Sequence, residues 1–94
     1  MSSKAGAWTA RIRVDRPDGP SADRLERALG PEAAREVPRS RARISRPEGT
    51  RVEIEVIADD SGALRAAMNT YLGWIALALR ADAVAGAAQG SGAP

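Results

Sequence analysis

The chain has 94 residues, no cysteine, no histidine and no phenylalanine, with 3 % aromatic residues and a formal net charge of +2. The missing residue types exclude disulfide and thiol chemistry, an imidazole base near neutral pH, any Ser/His or Cys/His arrangement, and the commonest zinc ligands. What remains is one small domain with a thin aliphatic core, a size class in which association commonly supplements marginal stability.

The opening MSSKAGAW lacks the apolar core of a signal peptide, and no run is long enough to span a bilayer, so a soluble, cytoplasmic chain without a membrane partner is expected. Residues 1–7 are small and polar and are expected to be disordered; residues 8–84 form the domain. Trp8 to Val14 alternates, with Trp8, Ala10, Ile12 and Val14 on one face and Thr9, Arg11 and Arg13 on the other, as a half-buried strand does. The loop Arg16-Pro17-Asp18-Gly19-Pro20 follows. Ser21 then reads as the N-cap of a short helix that has Ala22, Leu25, Ala28 and Leu29 on one face and stops at Gly30-Pro31.

Arg39 to Arg46 alternates again, with Ala42 and Ile44 inward. In the next strand, Arg51 to Ala58, Val52, Ile54, Val56 and Ala58 face in, while Arg51, Glu53, Glu55 and Ile57 face out. Pro47-Glu48-Gly49 fits a three-residue hairpin loop with the glycine in the left-handed position. That loop sets Ile44 opposite Val52, Ala42 opposite Ile54, Arg43 opposite Glu53 and Arg41 opposite Glu55.

Asp59, Asp60 and Ser61 offer caps for a long helix to Val84, and the Ala/Gly-rich residues 85–94 read as a disordered tail. At about 100° per residue the helix shows two apolar stripes. Leu64, Met68, Tyr71, Leu72, Ile75 and Leu79 suit a sheet; Ala63, Ala66, Thr70, Trp74, Leu77, Ala81 and Val84 lie apart from them and ask for a partner. The fold class is therefore α+β, a three-stranded antiparallel sheet with two helices on one face, in the order β-α-β-β-α.

Catalytic, cofactor and metal sites are not expected. Asp59-Asp60 is placed to cap a helix, and Glu53 and Glu55 each have a cross-strand arginine. Arg39, Arg41, Arg43 and Arg46 concentrate positive charge, which suits either a solvated sheet face or contact with RNA phosphates. No G-x-x-G loop or strand aromatics accompany them.

The run Ser61-Gly62-Ala63-Leu64-Arg65-Ala66-Ala67-Met68-Asn69-Thr70-Tyr71-Leu72-Gly73-Trp74-Ile75 resembles the signature of the small Pcc-type subunit of the archaeal and eukaryotic KEOPS complex. Ala28-Leu29-Gly30-Pro31-Glu32, the arginine-rich second strand and the Val52 to Val56 strand extend the likeness over about residues 8 to 80. The resemblance implies a non-catalytic scaffold that forms a homodimer and holds the threonylcarbamoyl transferase subunit, in a complex that makes threonylcarbamoyl adenosine in tRNA. It places the helix contacts most naturally on Thr70, Trp74, Leu77 and Ala81, with a weak tRNA contact through the arginines. The rival expectation is a stand-alone RNA-binding protein that uses the basic sheet face.

Overall fold

The computed structural model describes residues 8–33 and 37–92, with side chains to residue 85. The elements are β1 (Trp8–Asp15), α1 (Gly19–Ala33), β2 (Ser40–Glu48), β3 (Arg51–Ala58) and α2 (Ser61–Gly92). The three strands form one antiparallel sheet in the order β1-β3-β2, and both helices pack on one face of it, so the expected α+β architecture holds. The expectations for residues 1–7, 93 and 94 lie outside the described residues. No helix among the described residues is long and apolar enough to cross a membrane.

Parity along β3 separates the sheet faces. Val52, Ile54, Val56 and Ala58 are buried, while Arg51, Glu53, Glu55 and Ile57 between them are half-buried on the other side. The core joins Val52, Ile54 and Val56 to Ala22, Leu25 and Leu29 of α1 and to Ala67, Tyr71 and Ile75 of α2. Trp8 has inward parity, yet it stays 46 % exposed at the end of edge strand β1.

The hairpin register differs from the expected one by two residues. Ile44 lies opposite Ile54, Ala42 opposite Val56, Arg43 opposite Glu55 and Arg41 opposite Ile57. A bulge absorbs the difference: Arg46 and Pro47 face only Val52 between the Ser45–Glu53 and Glu48–Arg51 pairs. Pro47 has no N–H to give to the ladder, which is where a bulge costs least. The turn is then Gly49-Thr50, and Gly49 does not adopt a left-handed φ. A shift of two keeps every side chain on its expected face.

The helix starts are fixed by aspartates. Asp18 Oδ1 accepts from Ser21 N at 2.8 Å, so Asp18, not Ser21, caps α1, with Gly19 and Pro20 in its first turn. Asp60 Oδ1 accepts from Ala63 N at 2.7 Å and caps α2. Helix α1 does not stop at Gly30 but continues through Pro31 to Ala33. Glycine has no Cβ to clash with the following proline ring, and a proline this close to the C-terminus removes only one helical bond. Helix α2 runs on to Gly92 through the stretch read as a disordered tail, in keeping with alanine's high helix propensity.

Tyr71 sits 1 % exposed in this core, and its hydroxyl has no hydrogen-bond partner among the described residues. Burial, with the nearby Glu32 carboxylate, holds the phenol above its ordinary pKa. An unsatisfied buried hydroxyl costs about 1–3 kcal/mol. Tyr71→Phe is therefore expected to raise the midpoint of urea unfolding or leave it unchanged; a clear drop would show that the hydroxyl is bonded in solution.

Candidate interaction surfaces

Two surfaces inherit the residues singled out by the sequence. The first is the outward side of α2. Its inward line is Ala67, Tyr71 and Ile75, one helical turn apart and buried, flanked by half-buried Leu64, Met68, Trp74, Ala78 and Leu79. Leu72 does not join the core as expected; it lies about 100° from Tyr71 around the helix and is 46 % exposed.

The four residues expected to meet a partner divide. Leu77 is 63 % exposed and Ala81 is exposed, on one side of the helix with Val84, which is 64 % exposed. Thr70 is half-buried, and its hydroxyl donates to the Ala66 carbonyl at 3.0 Å, so it offers a partner little beyond a methyl group. Trp74 packs edge-on against Tyr71, with ring centroids 5.1 Å apart and planes at 79°, and belongs in part to the core. The outward surface is therefore Leu77, Ala81 and Val84, shifted along the helix from the expected set. Gly73 on the far side of α2 meets nothing within 4 Å of where a Cβ would stand.

Beside that surface a groove of about 250 Å³ separates α1 from α2. Ala28 of α1 and Ala78, Ala81 and Ala85 of α2 line it, and Arg16, Arg24 and Asp82 close its polar end. Asp82 accepts from Arg24 Nε, from Arg24 Nη2 at 3.4 Å and from Arg16 Nη2 at 3.1 Å. Those two guanidinium groups, Arg24 foremost, hold its carboxyl below the usual carboxylate range. This carboxylate ties the end of β1 and the start of α1 to α2. Sequence reading missed the groove because Arg16, Arg24 and Asp82 are far apart along the chain; Asp82 in an Ala-rich stripe was the only local signal.

The second surface is the outer sheet face, which carries a ladder of charges. Arg13 Nε lies 2.9 Å from Glu53, Arg11 Nη2 3.5 Å from Glu55, and Arg43 Nη2 3.0 Å from Glu55. The carboxylates do pair across strands, but Glu53 takes Arg13 and Glu55 takes Arg43, as the shifted register dictates. Arg41 faces Ile57, without a carboxylate opposite it.

The arginine cluster is thus split by the fold. Arg41 and Arg43 lie on the outer face. Arg46 has inward parity and turns to α1, where Nη1 lies 3.2 Å from Glu26 and 3.4 Å from Asp23. Arg39 occupies the left-handed region, φ 62°, in the turn closed by Ser40 N donating to Val37 O at 3.0 Å, and it pairs with Asp60. A type II turn requires a positive φ at that position, after Pro38. The described residues hold no group of three or more carboxylates, cysteines or histidines able to bind a metal ion.

These features define a class first: a small α+β domain in which many of the charged residues serve as caps or in ion pairs, and whose long helix carries an uncovered apolar side. The family model described as "Transcription factor Pcc1" matches residues 9–81, and the chain belongs to that family. Over 44 residues it is 48 % identical to the KEOPS complex subunit Pcc1 of Pyrococcus abyssi (strain GE5 / Orsay), a stretch covering 46 % of this chain and 54 % of that protein. The chain thus spans about half the length of this curated relative.

Proposed function

We propose that the chain is a non-catalytic, cytoplasmic scaffold subunit of a KEOPS-type complex, which makes threonylcarbamoyl adenosine in tRNA. It forms a homodimer through its sheet and docks the threonylcarbamoyl transferase subunit through its helices. The family membership and the name of the Pyrococcus abyssi relative support the complex. The observation that carries the scaffold role is the exposed Leu77, Ala81 and Val84 surface on α2. Apolar residues gathered on one helix side are the usual mark of a helix-to-helix contact.

The test is co-elution with the transferase subunit, with light scattering to give the mass of the chain alone. A dimer that co-elutes supports the reading. A monomer that ignores the transferase and binds tRNA tightly favours the stand-alone RNA-binding reading.

Within the complex an auxiliary tRNA contact belongs to Arg41 and Arg43, because Arg41 has no carboxylate opposite it and Arg43 lies beside it on the same strand face. Phosphate contact without base reading is the chemistry that such a face supports. Reversing both charges is expected to weaken tRNA binding and to flatten its dependence on salt, by about one unit of slope for each phosphate left without its arginine. An unchanged slope in a salt titration would remove the tRNA from this face.

A further inference from the structure

We propose that Asp82 is a latch: it fastens the C-terminal end of α2 to the rest of the domain, and without it that end of the helix detaches while the core stays folded.

The sheet is too short to hold α2 along its whole length. A strand of 8 residues reaches about 27 Å, whereas a helix of 32 residues reaches about 48 Å. The contacts follow that difference. Ile75 is the last buried core residue of α2, and Ala78 and Leu79 are the last that pack against the core. Past Leu79, Arg80, Ala81, Ala83, Val84 and Ala85 are all exposed, and Asp82 alone among residues 80–85 is half-buried.

Asp82 is also a residue that the helix itself disfavours. Aspartate is a poor helix former beside the alanines around it, and Gly86 and Gly90 weaken the end further. A short helical stretch without tertiary packing is marginal in water. Where local preference and structure disagree in this way, a tertiary contact has overridden the preference.

Here that contact is an ion cluster with a fixed far side. Arg16 Nη2 lies 3.1 Å from Asp82, and the two side chains are only 19 % and 16 % exposed. Arg16 follows β1, and its backbone N donates to Thr50 O at 2.8 Å, so the sheet holds it. Arg24 bonds Asp82 from α1, and its Nη2 lies 3.2 Å from Ser21 Oγ. Asp18 also acts on Arg24, so Arg16 and Arg24 face the two carboxylates of Asp18 and Asp82 and the cluster is neutral as it stands.

That balance depends on α2 supplying Asp82. Without it, Arg16 is a largely buried cation whose Nε already has no partner among the described residues. Removing one member of such a pair is strongly unfavourable, and moving the helix end aside lets water reach Arg16. The groove of about 250 Å³ beside the cluster leaves apolar contact between the two helices incomplete there. Ala81 and Val84 lie on the latched segment, so the latch keeps them in line with Leu77.

Amide hydrogen exchange and Cα chemical shifts of the full chain alone, read by nuclear magnetic resonance, test the latch independently of any partner. In Asp82→Ala, residues 83–90 are expected to exchange about tenfold faster or more and to lose their helical shifts, while β3 keeps its strand shifts. Helix propensity alone predicts the opposite sign, because alanine is the better helix former. Unchanged or slower exchange in that segment therefore overturns the proposal.

A second variant, Arg16→Met with Arg24→Met, removes the far side of the cluster and leaves the sequence of α2 intact. It is expected to speed exchange of the same residues. Adding Asp82→Ala to it should then slow their exchange, since only the gain in propensity remains. A further increase instead would mean that Asp82 acts without the arginines, and the latch fails. If Asp82→Ala alone does not fold, the two-arginine variant decides. Loss of helical shifts confined to the end of α2 supports the proposal; no change, or loss of the whole fold, overturns it.

Discussion

Ile54→Ala is expected to destabilise the fold by about 2–5 kcal/mol, the range for truncating a fully buried aliphatic residue. Ile54 is central in every direction. It sits at the middle of the middle strand, opposite Ile12 of β1 and Ile44 of β2, and it is 0 % exposed. The same cluster includes Leu25 and Leu29 of α1 and Tyr71 and Ile75 of α2, so the cavity would open where all five elements meet. Neighbours held by two helices and two strands have little room to collapse into it. Domains of this size are stable by about 5–15 kcal/mol, so the loss could take half or more of the total.

The control is Ile57→Ala on the same strand. Ile57 faces outward and is half-buried, and its truncation is expected to cost clearly less, about 1 kcal/mol. Urea unfolding followed by tryptophan fluorescence suits the comparison, because Trp74 rests on the buried Tyr71 ring and reports its environment. Equal midpoints for the two variants would contradict the inside–outside division of β3.

That division was legible from sequence because a strand has a period of two, and the alternation from Arg51 to Ala58 permits only one inner face. The element order was legible for the same reason. The register was not, since it turned on Pro47. Reading Pro47-Glu48-Gly49 as the loop placed the turn too early; the strand instead passes the proline through a bulge and turns at Gly49-Thr50. Arg46 carried an unused signal: its parity matches Ala42 and Ile44, which points it toward α1 rather than out with Arg41 and Arg43.

On α2 the composition of the stripes was readable, but their boundaries depended on which residue centres the buried line. With Tyr71 at the centre, Leu72 falls outside and Ala67 inside, and Trp74 moves to the rim of the core. Long-range polar geometry left only one local trace, the carboxylate of Asp82 within an Ala-rich stripe. Asp82 meets Arg16 and Arg24 across 66 and 58 positions of sequence.

The same placement decides how the docking surface is best tested. Leu77→Glu is expected to weaken transferase binding about 30-fold or more, the loss that follows when a hot-spot residue is replaced. Leu77 is 63 % exposed, so the new carboxylate stays hydrated in the free chain, and glutamate is nearly as good a helix former as leucine. Stability should therefore hardly change. In the complex the charge would be buried against an apolar contact, and desolvation makes that costly.

Trp74→Ala would not give the same information. It would remove the ring that packs on Tyr71 and so mix impaired folding with impaired binding. Leu72→Glu is the informative control, since Leu72 is also exposed and apolar but lies well around α2 from Leu77. Pull-down with the transferase, beside thermal melts of each variant, separates the outcomes. Loss with Leu77→Glu alone places the partner on the α1 side of α2. Equal loss with both variants would mean that the contact wraps the helix, and no loss with either would move it off α2.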